Sequence, residues 1–290
     1  MKLPAAYKFV ALNNDTYEVP YPPLGFYPIA EHQQGNGDMF GLYWPIGYEE
    51  REPIVAETWH DELSVQPHFS SLDRFLVAVG RFDGKYSDDT VPETPTFHDD
   101  PQSPAASLFA AREHLKSQNV EAAIACLETA VVVLPEYGDA QALLCAQYRR
   151  VGKNDAAIKA AVQAIIAPPC FGARPVKIAQ WLSSQSSCPP ELESDPIWIN
   201  RERLNLKFFG VEENDEYKIL HAAIEQYLDA AAFVPAMTLM LTYAQLMWRE
   251  TVSFQERYEF DCDEFVSWQR DVAQSQYGKS RILELPDQRG

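Results

Sequence analysis

The chain reads as an α+β protein, a small strand-rich part followed by an all-helical part, and three observations predict this. Before residue 87, glycine, proline and aromatic residues are dense and the apolar runs are short, as in strands and turns. Residues 87–103 are acidic and proline-rich. After them one segment occurs twice, 34 residues apart: Glu121-Ala122-Ala123-Ile124 returns as Asp155-Ala156-Ala157-Ile158, Ala130 as Ala164 and Pro135 as Pro169.

Taken in order, residues 1–86 form the first domain. Phe40 to Trp44 and Ile54 to Trp59 read as strands. Asn36-Gly37 reads as a tight turn, because both residues tolerate positive φ. Phe69 to Val79 reads as a helix with Leu72, Phe75, Leu76 and Val79 on one face. Residues 87–103, with Asp88-Asp89, Asp99-Asp100, Pro92, Pro95 and Pro101, read as a linker. Residues 104–171 hold two helix–turn–helix units, 104–137 and 138–171. Each ends at a proline, which lacks the amide needed to continue a helix. Small residues such as Ala123, Ala130, Ala157 and Ala164 let paired helices cross closely. Past Phe171 the period fades. Residues 172–290 read as divergent helices capping the stack: Asn214 to Ala232, a second from Pro235, and a third near Asp263 to Ser275. The stripe of Met237, Met240 and Met247 on the second reads as core.

The period and its alanine and proline positions resemble the tetratricopeptide repeat, which cannot bury its own apolar face and stacks on a neighbour. The Trp and Gly usual in its first helix are replaced by Ser107 and Ala111, then by Gln141 and Cys145. The resemblance implies a protein-binding role. Members that grip a C-terminal carboxylate carry Lys and Asn on the concave face. Here Leu108, Arg112, Ala142 and Ala146 stand there, so a chaperone-tail receptor is not expected.

A second resemblance covers residues 1–82. Leu3-Pro4-Ala5-Ala6-Tyr7-Lys8-Phe9, Phe26 to Ala30, Gly35-Asn36-Gly37-Asp38, Pro53-Ile54-Val55, His60-Asp61 and Phe69 to Leu76 resemble successive motifs of the SUKH superfamily. That family usually has a helix before its Leu-Pro motif, and here the chain begins at that point. The resemblance implies an interaction module. Many bacterial members are immunity proteins that neutralise a toxin, so the expected partner is a cognate protein toxin, basic near its active site.

Charge and composition narrow the functional classes. The net charge is −18. Residues 1–100 carry 17 acids against 6 bases, residues 101–180 carry 6 against 8, and residues 181–290 carry 19 against 10. An acidic field repels phosphate backbones and attracts basic partners, so nucleic acid is not an expected partner. No apolar run reaches membrane-spanning length, and the first residues lack the pattern of a secretory signal, which together predict a cytoplasmic protein with no membrane partner. Cys126, Cys145, Cys170, Cys188 and Cys262 form an odd set without a close pair, and neither a disulfide framework nor a cysteine-rich zinc site is expected.

No catalytic residue, cofactor site or metal site is predicted. Gly35-Asn36-Gly37 is followed by Asp38-Met39, not by the residues of a phosphate or dinucleotide loop. His60, Asp61 and His68 lie close in sequence without a third ligand at helical spacing. The predicted partner-binding residues are Tyr43, Tyr48, Glu49, Glu50, Glu52, Glu57, Asp61 and Glu62, because aromatic anchors rimmed by charge are typical of interfaces. Trp44 and Trp59, in the same segment, are assigned to the core. Arg112, Arg149 and Arg150 are a further expected contact, on the helical part.

Overall fold

In the computed structural model, which describes residues 20–33, 37–81 and 92–274, the strands come first and helices follow. The Leu3 to Phe9 motif, Gly35, Asn36 and the first part of the expected linker lie outside the described residues. Four antiparallel strands run as a meander in the order β1-β2-β3-β4: β1 (Phe26–Gln33), β2 (Met39–Tyr43), β3 (Ile54–Trp59) and β4 (Ser64–Phe69). Helix α1 (Leu72–Arg81) follows. The fold is therefore α+β, with a helical region after a small antiparallel sheet.

The sequence pattern placed a helix from Phe69, but Phe69 ends β4, opposite Val55. Its ring packs on Phe40 and Phe75, which fixes it in the sheet. Pro67 hides this strand from a propensity reading. A proline is tolerated there because β4 is an edge strand, where an amide donor can be spared.

Both faces of the sheet are buried, against different parts of the chain. On one face Ile29, Phe40, Leu42, Trp44, Val55 and Phe69 pack with Phe75 of α1. On the other, Phe26, Met39, Tyr43, Ile54, Ala56 and Val65 join one apolar cluster with Leu108, Leu127, Leu134, Leu144 and Phe171 of the helical part. This explains why every residue of β2 is buried and why β3 is buried up to Thr58.

The described part of the expected linker, residues 92–103, is not a free connection. It runs beside β4. Thr94 Oγ1 lies 3.0 Å from His68 Nδ1. The buried Asp100 accepts hydrogen bonds from Ser70 N (2.8 Å) and Ser70 Oγ (2.7 Å). Ser103 Oγ donates to the His68 carbonyl and accepts from Ala106 N. Acidic and proline-rich composition suggested a solvated chain. Here the carboxylate satisfies backbone and hydroxyl donors next to an open strand edge, which such coverage protects.

Ser103 is also the N-cap of α2 (Pro104–Lys116), with Pro104 in the first turn where its missing amide costs nothing. Then come α3 (Val120–Val133), α4 (Gly138–Arg150) and α5 (Asn154–Ile166). α2 packs along α3, and α4 along α5. Pro104 and Gly138 are 34 residues apart, as are Val120 and Asn154. The turns also correspond: Gln118 (φ 61°) and Gly152 (φ 75°) occupy the same left-handed position. Ala123, Ala130, Ala157, Ala161 and Ala164 are buried where the helices cross.

The remaining helices are α6 (Val176–Ser183), α7 (Pro196–Ile199), α8 (Asp215–Asp229), α9 (Phe233–Trp248), α10 (Val252–Arg257) and α11 (Cys262–Gln274). α9 is the hub. Met237, Met240 and Met247 are fully buried in it. Pro235 falls in its first turn, so the helix starts two residues earlier than the proline suggested. Thr242 Oγ1 donates to the Ile166 carbonyl, and Gln245 Oε1 accepts from Cys170 N, which fastens α9 to the end of α5. Among the described residues no helix is long and apolar enough to cross a membrane.

Candidate functional site

The predicted contact residues do not form one surface. Tyr43 is the first correction. It is fully buried, and its hydroxyl donates to Glu136 Oε1 at 2.6 Å. Glu136 also accepts from Ile46 N at 2.9 Å. Tyr43 thus joins the sheet to the turn before α4 and is not available to a partner. Burial of its ring on Phe171 supplies the apolar part of this joint.

Glu57 is the second correction. It is buried, and its Oε2 lies 2.9 Å from His68 Nε2. With Thr94 on the other ring nitrogen, the order is hydroxyl, imidazole, carboxylate. This arrangement pairs the buried Glu57 carboxylate with the partly buried His68 ring and ties residues 92–103 to the sheet. His60 is bonded elsewhere, its Nδ1 2.8 Å from Asp38 Oδ1. Among the described residues, no group of three or more His, Cys, Asp or Glu is placed to hold a metal ion.

The other acidic candidates lie at opposite ends of β3. Tyr48, Glu49, Glu50 and Glu52 are on the β2–β3 loop. Asp61 and Glu62 are on the β3–β4 hairpin. Six strand residues separate them, roughly 20 Å at about 3.3 Å per residue. A segment continuous in sequence is therefore two surfaces. The loop is largely tied down: Glu49 Oε1 accepts from Gly47 N, Arg51 lies 3.8 Å over the Tyr48 ring, and Trp44 Nε1 donates to the Arg51 carbonyl. Glu50 and Glu52 remain exposed.

The hairpin is different. Trp59, assigned to the core from sequence, is 37% exposed. It is the last residue of the strand, with Asp61 and Glu62 exposed beside it in the chain. The alternation of β3 contained no signal for this, because its other five residues are buried on both faces. Trp44 is in the core as expected.

The arginines do not form one group. Arg112 Nη2 lies 3.4 Å from Asp139 Oδ2, at the start of α4. Arg149, at the other end of α4, stacks 4.5 Å over the Trp181 ring of α6. Arg150 is exposed.

Next to the hairpin lies a cleft of about 550 Å³ that sequence reasoning missed. Glu62 and Val65 of the sheet, Tyr137 and Asp139 at the start of α4, and Arg174, Phe209 and Arg249 from the later chain line it. These residues are far apart in sequence and share no motif, so no local signal marks the site.

Residues 12–88 match the family model described as the YfbP N-terminal domain, and residues 207–282 that of the YfbP C-terminal domain. The chain is 37% identical over 265 residues to the uncharacterized protein YfbP of Escherichia coli (strain K12), covering 90% of this chain and 92% of that one. No solved structure matches. The similarity spans sheet, paired helices and later helices alike, so this chain belongs to the YfbP family.

Proposed function

We propose that this chain is a non-catalytic protein-binding protein of the cytoplasm, most specifically an immunity protein that covers the active site of a cognate bacterial toxin. The observation that carries the reading is the β3–β4 hairpin. A half-exposed Trp59 next to Asp61 and Glu62 combines an aromatic anchor with charge, the composition of an interaction hot spot. The acidic balance of residues 1–100 steers a basic partner toward it. The finer fold assignment belongs to the same proposal. The order of four strands and a helix supports a SUKH-like domain for residues 1–86. The matched starts of α2 and α4, and of α3 and α5, support two tetratricopeptide-like repeats.

A second reading, an interaction scaffold or regulator without a toxin, is favoured by one observation. Phe109 on α2 is 64% exposed, one turn from Arg112. That anchor belongs to the helical pairs and not to the sheet.

Capture from the native cell with cross-linking and mass spectrometry tests both. The expected partner is a basic protein whose toxicity in a heterologous host is relieved by the chain. Trp59→Ala with Asp61→Lys and Glu62→Lys should abolish the relief. Glu50→Lys with Glu52→Lys, at the far end of β3, should slow association without abolishing it, and the slowing should fade as salt screens charges beyond roughly 8 Å. A non-toxic partner kept by the hairpin variant and lost with Phe109→Ala would establish the scaffold reading instead.

A further inference from the structure

The cleft beside the hairpin has chemistry that binding a basic partner does not use. In a chain with net charge −18, it is lined by two guanidinium groups, Arg174 and Arg249. Neither has a carboxylate within ion-pair distance among the described residues. Arg174 is held in place. One of its terminal nitrogens donates to the Leu206 and Phe208 carbonyls at 3.2 and 3.4 Å, and its guanidinium lies 5.1 Å over the Phe209 ring. Its other donors are left for a ligand. Arg249 is exposed after the end of α9.

A third donor faces the same space. Tyr137 is only 6% exposed, and its hydroxyl has no hydrogen-bond partner among the described residues. Burial pushes its phenol above the ordinary range, with the Asp139 carboxylate adding to this, so at neutral pH it is a hydrogen-bond donor. The carboxylates in the lining do not cancel these groups equally. Asp139 is engaged, its Oδ1 by Ala173 N at 3.0 Å and its Oδ2 by Arg112. Glu62 stands exposed at the rim. Between the polar groups lie Val65, Val176, Phe209 and Leu246. A volume near 550 Å³ falls within the usual range of roughly 300–1,000 Å³ for small-ligand sites, which favour the junctions of structural units.

We propose that this cleft binds a small organic oxyanion, one carboxylate or phosphate group on a compact apolar body, with Arg174, Arg249 and Tyr137 holding the anionic head and Phe209 and Leu246 the body. Planar guanidinium groups pair with either head in a two-pronged fashion.

Calorimetric titration of the purified full chain with benzoate, phenyl phosphate and, as a cationic control, benzylamine tests this at low salt. Saturable binding of benzoate or phenyl phosphate, and none of benzylamine, is expected. Preference for one anion identifies the head group. Arg249→Ala should weaken binding about tenfold, as should Tyr137→Phe to a smaller degree, whereas Glu62→Gln should strengthen it by removing a repelling charge. Arg249 is exposed, so its variant should keep the wild-type melting temperature, and Arg174→Lys retains a charge where Arg174→Ala could disturb the fold. No saturable binding of either anion, equal binding of benzylamine, or wild-type affinity in a folded Arg249→Ala would overturn the proposal.

Discussion

The two faces of the sheet are sealed by different means. The α1 face is closed by residues between 27 and 79, with Phe40, Phe69 and Phe75 in mutual contact, and its buried carboxylate, Glu57 opposite Phe40, is paired within the sheet to His68. The helical face is closed by residues up to 145 positions away, from Phe26 to Phe171, and carries a buried carboxylate at its centre. The first closure is local and tolerant of position. The second requires Glu136 to meet both the Tyr43 hydroxyl and the Ile46 amide. The sheet and the paired helices therefore share one core, although composition separated them with a linker.

The largest expected effect is on the α1 face. Phe75→Ala empties the centre of the α1 contact and should cost about 3–5 kcal/mol, measured by denaturant unfolding. If the two faces belong to one cooperative unit, far-ultraviolet circular dichroism, which reports the helices, and tryptophan fluorescence should still give coincident transitions. Separate transitions would show that the sheet and the helices unfold independently.

On the helical face, Glu136→Ala removes the acceptor that the Tyr43 hydroxyl and the Ile46 amide share and should cost about 2–3 kcal/mol. Tyr43→Phe alone removes one partner of a shared carboxylate and should cost less. In the double variant the costs should not add, because both changes act on one hydrogen bond. Additive losses would show that Glu136 holds the joint through Ile46 only.

A smaller effect belongs to the covered edge. Ser103→Ala removes both an N-cap and the bond to the His68 carbonyl, for an expected loss of about 1–2 kcal/mol. The strand order would survive this, and the loss is read as a lower midpoint with an unchanged denaturant slope.

The least disruptive test uses no substitution. Cys170 is fully buried in the cluster shared by sheet and helices, and burial pushes its thiol up to about 12. Cys145 is also buried, its thiol likewise pushed up to about 12 by burial, but on the α5 side away from the sheet. Under native conditions thiol labelling should reach Cys188, which is partly exposed, before either. Cys170 and Cys145 should then label together. Earlier labelling of Cys170 would mean that the sheet lifts off the helices on its own.

What the sequence made legible follows from distance along the chain. β3 was read residue for residue, and the paired helices follow a period that is written in alanines and prolines. α1 was found with an early start, since Phe69 fits a helical stripe as well as a strand end. β4 was missed because Pro67 breaks a strand pattern, and only the edge position excuses it. The candidate residues fared worse. Tyr43 and Glu57 look like surface groups until Glu136 and His68 are placed against them. Trp59 looks like core, but it is the last residue of its strand and the first exposed one. The cleft joins residues 62, 137, 174 and 249, and no pattern within a window of any length contains it.

The carboxylate of Glu136 also bears on how such a protein can change over generations. A sheet with one face open to solvent can be cut from one gene and joined to another. Here a transplanted sheet would lose the Glu136 acceptor of its Tyr43 hydroxyl and uncover an apolar surface, and the donor helices would lose the Tyr43 donor to that acid. The two halves are bound to vary in step, so a change at position 43 should be answered at position 136. Sequences of distant family members test this: the residues at 43 and 136 should change together.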